Sequence, residues 1–296
     1  MRREVEFTTE DGTILRGLLH TNEQDVPAPT IVMAHGFSGV KEQIGHYAAH
    51  FAHAGFTVLA YDHRGFGASE GKLRLEVDPY RQMADWLDAL TYVESLAEVD
   101  AERIGVWGSS FAGGLAMAIA AGDSRVKCVV AQIPFVSGHR NARELFSVAQ
   151  RGELRSRLAA DRATRAVGGL PAMIPVFSAD PREPSALPVD VDQAFIDSGA
   201  DTAPRWQNQV TLRSVEHMMT FEPAGWIPHV APKPLLMIVA AADVCTFPEI
   251  QLDAYATARE PKKLVVHPGG HFETYTKHFA ETSQPALDWF STHLGK

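Results

Sequence analysis

Between the apolar run Arg103-Ile-Gly-Val-Trp107 and the small-residue segment 115–121 stand seven residues, Gly108-Ser-Ser-Phe-Ala-Gly-Gly114. A strand, a turn too tight for bulky side chains and a helix follow one another here, an arrangement that presents a serine hydroxyl at its apex. Read as G-x-S-x-G/A, the motif sets Ser110 at the apex. Gly108 lies two residues before it and Ala112 two after, both small enough for the strand and helix backbones to approach. Ser109 in that place would be flanked by Trp107 and Phe111. Sterics therefore point to Ser110 as the candidate nucleophile and leave Ser109 as the spacer.

A serine hydroxyl is almost wholly protonated at neutral pH, so the turn has chemical meaning only with a base and a group that orients the base. Both are found in the last third of the chain. The apolar run Pro234-Leu-Leu-Met-Ile-Val239, a strand by its length and flanks, leads through Ala240-Ala-Ala to Asp243. The next run, Lys263-Leu-Val-Val266, leads to His267-Pro-Gly-Gly-His271. His267 competes for the role of base, but it sits at the strand edge before the Pro-Gly-Gly turn, which favours His271. No carboxylate follows Ile133-Pro134-Phe135, leaving Asp243 without a close rival. Singly, each residue has a structural reading: a serine capping a helix, an aspartate starting a turn, a histidine satisfied at the surface. Their joint occurrence at the ends of three successive predicted strands favours the catalytic one. The chain order Ser, Asp, His is that of α/β-hydrolases and not of chymotrypsin or subtilisin.

Acyl chemistry also needs donors aimed where negative charge develops. Thr30-Ile-Val-Met-Ala34 reads as a buried strand followed by the glycine-bracketed turn His35-Gly-Phe-Ser-Gly39. The expected donors are the backbone amides of Phe37, in the loop after this third strand, and Phe111, directly after the nucleophile. His35 is expected to shape its loop, and Asp62 and Arg64 to tie down the turn after the fourth strand.

Over nearly its whole length the chain is similar to the α/β-hydrolase superfamily. The similarity rests on His35-Gly-Phe-Ser-Gly39, Asp62-His-Arg-Gly-Phe-Gly67 with Ser69, Gly108-Ser-Ser-Phe-Ala-Gly-Gly114 and Pro268-Gly-Gly-His271. Within the superfamily it resembles the dienelactone-hydrolase and Xaa-Pro-dipeptidyl-peptidase-like branch, including proteins described as polyketide transferases. Ala112 stands where a second glycine is usual. Motif and resemblance together predict a serine hydrolase that cleaves a carboxylester, lactone or thioester of a small to medium organic substrate through an acyl-enzyme on Ser110. An acyltransferase with the same three residues, a C–C hydrolase or peptidase, and a catalytically inactive ligand-binding scaffold stand as alternatives.

Strand and helix candidates alternate up to Pro134 and again from Pro234. This pattern predicts a mostly parallel sheet with helices on both faces, carrying its active groups at the carboxyl ends of the strands. A chain of 296 residues, 45% hydrophobic and 21% charged, can bury a core of that size together with an inserted subdomain. The expected division is a hydrolase core of residues 1–134 and 233–296, with a largely helical cap or lid, 135–232, inserted between strands 6 and 7. Helix candidates in that stretch are 141–150, 153–167 and 206–219. Of its apolar side chains, Phe135, Trp206, Met218 and Trp226 are the candidate walls of a substrate pocket, with Phe146, Met173, Phe177 and Met219 also available.

The formal charge of −9 argues against a nucleic-acid surface, and Arg-rich 151–165 is interrupted by Glu153 and Asp161. No run approaches the roughly 18 apolar residues of a membrane span, and the start has no apolar signal region. The expected location is cytoplasmic. Two cysteines do not make a disulfide framework; Cys128 sits in a strand, and Cys245 lies two residues after the candidate acid. No Cys/His cluster has zinc spacing, so neither metal nor cofactor is expected. The expected partner is a small-molecule acyl substrate, with a homodimer left open.

Overall fold

Strands covered on both faces read as unbroken apolar runs. Three strands of the sheet, 28–34, 57–61 and 235–240, are buried at every residue in the computed structural model, which describes residues 1–21 and 26–295. The chain begins with the hairpin β1 (Arg2–Thr8) and β2 (Ile14–His20), followed by β3 (Ala28–Ala34), α1 (Gly45–His53), β4 (Thr57–Tyr61), α2 (Pro79–Glu94), β5 (Val99–Ser109), α3 (Phe111–Gly122) and β6 (Val126–Gln132). An irregular stretch then carries α4 (Gly138–Leu145), α5 (Val148–Ala166), a two-residue strand β7 (Met173–Ile174), α6 (Gln193–Thr202), its partner β8 (Val210–Thr211) and α7 (Leu212–Thr220). Regular alternation resumes with β9 (Leu235–Ala240), α8 (Pro248–Thr257), β10 (Lys262–His267) and α9 (Phe279–Leu294).

Eight strands form the main sheet in the order β1-β2-β4-β3-β5-β6-β9-β10. The pairs β1/β2 and β2/β4 are antiparallel and the others parallel. The two faces feed separate cores because successive side chains of a strand point to opposite sides. Along β3, Val32 and Ala34 join Leu59, Trp86 and Leu115 on one face. Ile31 and Met33 join Tyr47, Phe51 and Phe290 on the other. At β5 the spacing is so tight that a Cβ on Gly105 would lie 2.8 Å from the Phe290 ring.

The turn after β4 is a polar clasp. Buried Asp62 accepts from the Lys41 amide (2.8 Å), the Lys41 ammonium (2.6 Å) and the Ala68 amide (2.8 Å). Arg64 reaches Asp85 of α2 and Asp11 of the β1–β2 turn. The clasp joins the loop that follows β3 to the end of β4, fixing one side of the candidate site.

Between β6 and β9 the helix boundaries differ from those expected. The helices read as 141–150 and 153–167 instead break at Phe146. Ser147 there starts α5 with a reciprocal cap, its hydroxyl accepting from the Gln150 amide (3.2 Å) while the Gln150 side chain accepts from the Ser147 amide (2.8 Å). The expected helix 206–219 begins only at Leu212, where Thr211 caps the Ser214 amide (3.3 Å) and leaves Val210–Thr211 to pair with β7. Helix α6 was not expected. One apolar cluster runs without a break from the sheet into this stretch, through Val136, Leu154, Ile174 and Val215. Among the described residues no helix is long and apolar enough to cross a membrane.

At Gly108 a Cβ would collide with the Ala112 carbonyl, in the first turn of α3. Gly108→Ala should therefore destabilise the protein by about 1–3 kcal/mol through forced backbone movement. Urea unfolding measures this, and an unchanged midpoint would contradict the tight packing of β5 against α3.

Candidate active site

Ser110 adopts φ 58 and ψ −123, a region that a residue with a side chain rarely occupies. Hydrogen bonds over-determine it. Its amide donates to the Gln132 carbonyl (2.9 Å), and its own carbonyl accepts from Gly113 and Phe135 (both 2.9 Å). Gly36, in the loop after β3, comes so close that a Cβ there would meet the Ser110 Cβ at 3.0 Å. The hydroxyl is thereby thrust out of the strand end, 3.1 Å from His271 Nε2.

His271 Nδ1 lies 2.8 and 3.0 Å from the two Asp243 oxygens. The carboxylate also accepts from the amides of Cys245 (2.7 Å) and Thr246 (2.9 Å) and from the Thr246 hydroxyl (2.8 Å). Burial alone would raise the Asp243 carboxyl; His271 and these amides outweigh it and hold the acid below the usual carboxylate range. An ionised Asp243 is an acceptor only, so it places the proton on Nδ1 and leaves the Nε2 lone pair facing the Ser110 hydroxyl.

The competing side chains are engaged elsewhere. Buried His267 accepts from the Gly269 amide (3.2 Å) and bonds the Thr274 hydroxyl (3.0 Å). Ser109 points behind the turn to the Tyr275 hydroxyl (2.7 Å). His35 donates through Nδ1 to the Gly36 carbonyl (3.0 Å) and accepts at Nε2 from the His63 amide (3.1 Å); burial lowers its basicity, so it holds the loop as a neutral ring. The amides of Phe37 and Phe111 make no turn, loop or cap hydrogen bond among the described residues, and the two rings meet edge to face at 5.8 Å. As the first residue of α3, Phe111 has an amide without an intrahelical acceptor.

A cavity of about 440 Å³ opens from Ser110 and His271. Phe177, Leu187, Phe195, Trp206 and Phe272 give it an apolar wall, and Glu42, Gln43, Ser198 and Thr202 supply polar groups. Of the four pocket residues expected from the sequence, Trp206 lines this space and the other three do not. The Phe135 ring is buried against Phe111, at 5.3 Å. Met218 is buried on the inner side of α7, and Trp226 is 43% exposed to solvent. Phe195 and Phe272 were not singled out from the sequence. Their rings pack at 4.6 Å, and Phe272 also packs edge to face on His271 at 5.2 Å.

Among the described residues, two groups of side chains have donor atoms close enough to share a metal ion, Asp243 with Cys245 and His271, and His267 with His278 and Glu281. In the first, Asp243 and His271 already bind each other. In the second, His278 Nδ1 pairs with Glu281 at 2.8 Å and His267 Nε2 with the Thr274 hydroxyl at 3.0 Å.

Residues 11–273 match the family model described as X-Pro dipeptidyl-peptidase (S15 family). The chain belongs to this family. It is 33% identical over 267 residues to the thiohydrolase aneE of Aspergillus aculeatus, covering 88% of this chain and 83% of that protein. It is also 33% identical over 266 residues to the acyltransferase drtE of Aspergillus calidoustus, covering 88% and 84%. The crystal structure of the alpha/beta hydrolase GrgF from Penicillium sp. superposes over 100% of both chains with a TM-score of 0.85 at 27% identity. The fold is that of the α/β-hydrolases, and the family is one of hydrolases and acyltransferases.

Cys245 contributes its backbone to the Asp243 turn while its thiol is buried, which raises the thiol well above its ordinary value; burial does the same to Cys128. Iodoacetamide at pH 8 should therefore leave both thiols and the rate intact in the native protein, and alkylate both after unfolding. Rapid alkylation of native Cys245 with loss of activity would place its thiol in the cavity instead.

Proposed function

We propose that this protein is a serine hydrolase acting on an ester-like bond, with Ser110 as nucleophile, His271 as base and Asp243 as the group that orients it. The observation that carries the reading is the continuous line from Asp243 through His271 Nδ1 and Nε2 to the Ser110 hydroxyl, at 2.8 and 3.1 Å. His271 takes the hydroxyl proton as Ser110 attacks the carbonyl carbon. The Phe37 and Phe111 amides receive the oxyanion, His271 returns the proton to the leaving oxygen or sulfur, and the acyl-enzyme remains. Water, deprotonated by His271, then attacks the acyl carbon and releases the acid with Ser110 restored. The relatives named thiohydrolase and acyltransferase support a thioester donor, and they support a second reading in which an alcohol or amine takes the place of water.

The stretch from 135 to 232 acts in this reading as the cap that selects the acyl group, since α6 and Trp206 supply the far wall of the cavity. The two buried, unpaired cysteines suit the reducing conditions of a cytoplasmic enzyme. No step calls on a metal or cofactor.

Stoichiometric labelling by a fluorophosphonate tests the core of this reading. Ser110→Ala should abolish it and lower kcat/KM by at least about a thousandfold. Labelling that survives in folded Ser110→Ala protein would move the nucleophile elsewhere. A panel of thioesters, esters, lactones and Xaa-Pro amides, with and without alcohol or amine acceptors, then separates hydrolysis from acyl transfer and peptidase activity.

Pocket walls change discrimination by about 1–3 kcal/mol per methylene-sized contact. Trp206→Ala should accordingly shift the ratio of kcat/KM between long and short acyl esters by about tenfold or more. Trp226→Ala, outside the cavity, should leave that ratio fixed. Equal ratios in the wild type and Trp206→Ala would remove Trp206 from the acyl wall.

A further inference from the structure

Ser110 follows β5 and His271 follows β10, and in the sheet β6 and β9 lie between these two strands. Three strand spacings put their backbones about 14 Å apart. β5 and β10 share no hydrogen-bond ladder of their own, so the sheet relates the turn that carries Ser110 to the loop that carries His271 only through two intervening strands. A direct tie between the turn and the loop matters at that range, because misplacement of a reacting group by about 1 Å can cost a hundredfold in rate.

The loop after His271 turns back on itself in the short 3₁₀ turn Glu273–Tyr275. Tyr275 ends it with its ring edge in the cavity, 6.4 Å from the His271 ring, and its hydroxyl directed behind the Ser110 turn. That hydroxyl meets Ser109 Oγ at 2.7 Å. Apart from the Ser110–His271 contact itself, no other hydrogen bond joins residues 108–113 to residues 268–278 among the described residues. The Gln132 side chain donates to Ser109 Oγ (3.3 Å) and to the Tyr47 hydroxyl (3.2 Å), and Tyr47 donates to the Thr274 carbonyl (3.0 Å). His46 Nε2 lies 2.9 Å from the Tyr275 carbonyl, which ties the same residue to α1 and hence to the Phe37 loop. The three segments that carry the nucleophile, the base and one oxyanion donor thus converge on one residue.

We propose that Tyr275 is a positioning residue: through its hydrogen bond to Ser109 it holds the Ser110 turn and the His271 loop at the separation the Ser110–His271 contact requires. The proposal rests on the reading of Ser110 and His271 as nucleophile and base. It gives Ser109 a role that the motif alone does not, as the anchor beside the nucleophile.

Tyr275→Phe removes one oxygen and keeps the ring that lines the cavity; Ser109→Ala removes the other end of the bond. With p-nitrophenyl butyrate as substrate, each variant should lose about 10- to 100-fold in kcat and in the fluorophosphonate labelling rate. KM should stay within about twofold, and the acid limb of the pH–rate profile should not move, because Asp243 and His271 remain paired. The double variant should be no slower than the slower single variant by more than about twofold, as for one shared interaction. A full rate in Tyr275→Phe, losses that multiply in the double variant, or a rise in KM at unchanged kcat would overturn the brace. Should one variant fail to fold by circular dichroism, kcat, KM and labelling of the other still decide. Absence of labelling at Ser110 in the wild-type protein would overturn the underlying assignment, and the brace with it.

Discussion

The backbone of Ser110 is the constraint on which the site depends. A residue with a side chain at φ 58 and ψ −123 costs on the order of 1–3 kcal/mol and persists only where its surroundings over-determine it. Here β6 holds the amide, the next turn of α3 and the amide of Phe135 hold the carbonyl, and Gly36 and Gly108 leave the space that any side chain would fill. Those requirements account for the small residues on both sides of the serine, and they project its hydroxyl away from the strand that supports it. The same geometry leaves the Phe111 amide, at the start of α3, free to face incoming charge.

The second constraint is electrostatic. Asp243 is a charge taken out of water, and such a charge persists only when its oxygens are fully hydrogen-bonded. Two amides, one hydroxyl and the imidazole of His271 meet that need. The imidazole consequently has one orientation and one tautomer, and its free nitrogen meets the serine. The buried pair of Lys41 with Asp62 does the corresponding work for the loop after β3. Four loops that leave the same edge of the sheet are thus each secured by polar contacts, and the tie between Tyr275 and Ser109 joins two of them directly.

What could be read from the chain was what local chemistry dictates. The Gly108–Gly114 turn, the aspartate beyond β9 and the histidine beyond β10 each follow from the few residues around them, and the structure brings all three side chains within hydrogen-bonding distance. The alternation of strands and helices likewise follows from apolar periodicity. The cavity wall was not legible in the same way, because it is assembled from distant segments. Phe135, Met218 and Trp226 were chosen by residue type within that stretch, yet a large apolar side chain can as well pack into the core or face water. Phe195 was missed because α6 was missed, although Asp192 capping the Phe195 amide at 2.8 Å is a start signal that the sequence carries. Phe272 was passed over although it adjoins His271. The role of Ser109 depends on Tyr275, 166 residues away, and no local pattern could connect them.

Rapid quenching of the enzyme during turnover of a thioester, followed by peptide mass spectrometry, tests the central claim most directly. The account requires an adduct of the acyl mass on the peptide that contains Ser110, formed and lost at rates no slower than kcat. An adduct on any other residue, or turnover at the full rate with no adduct while the step after acylation limits the rate, would contradict it.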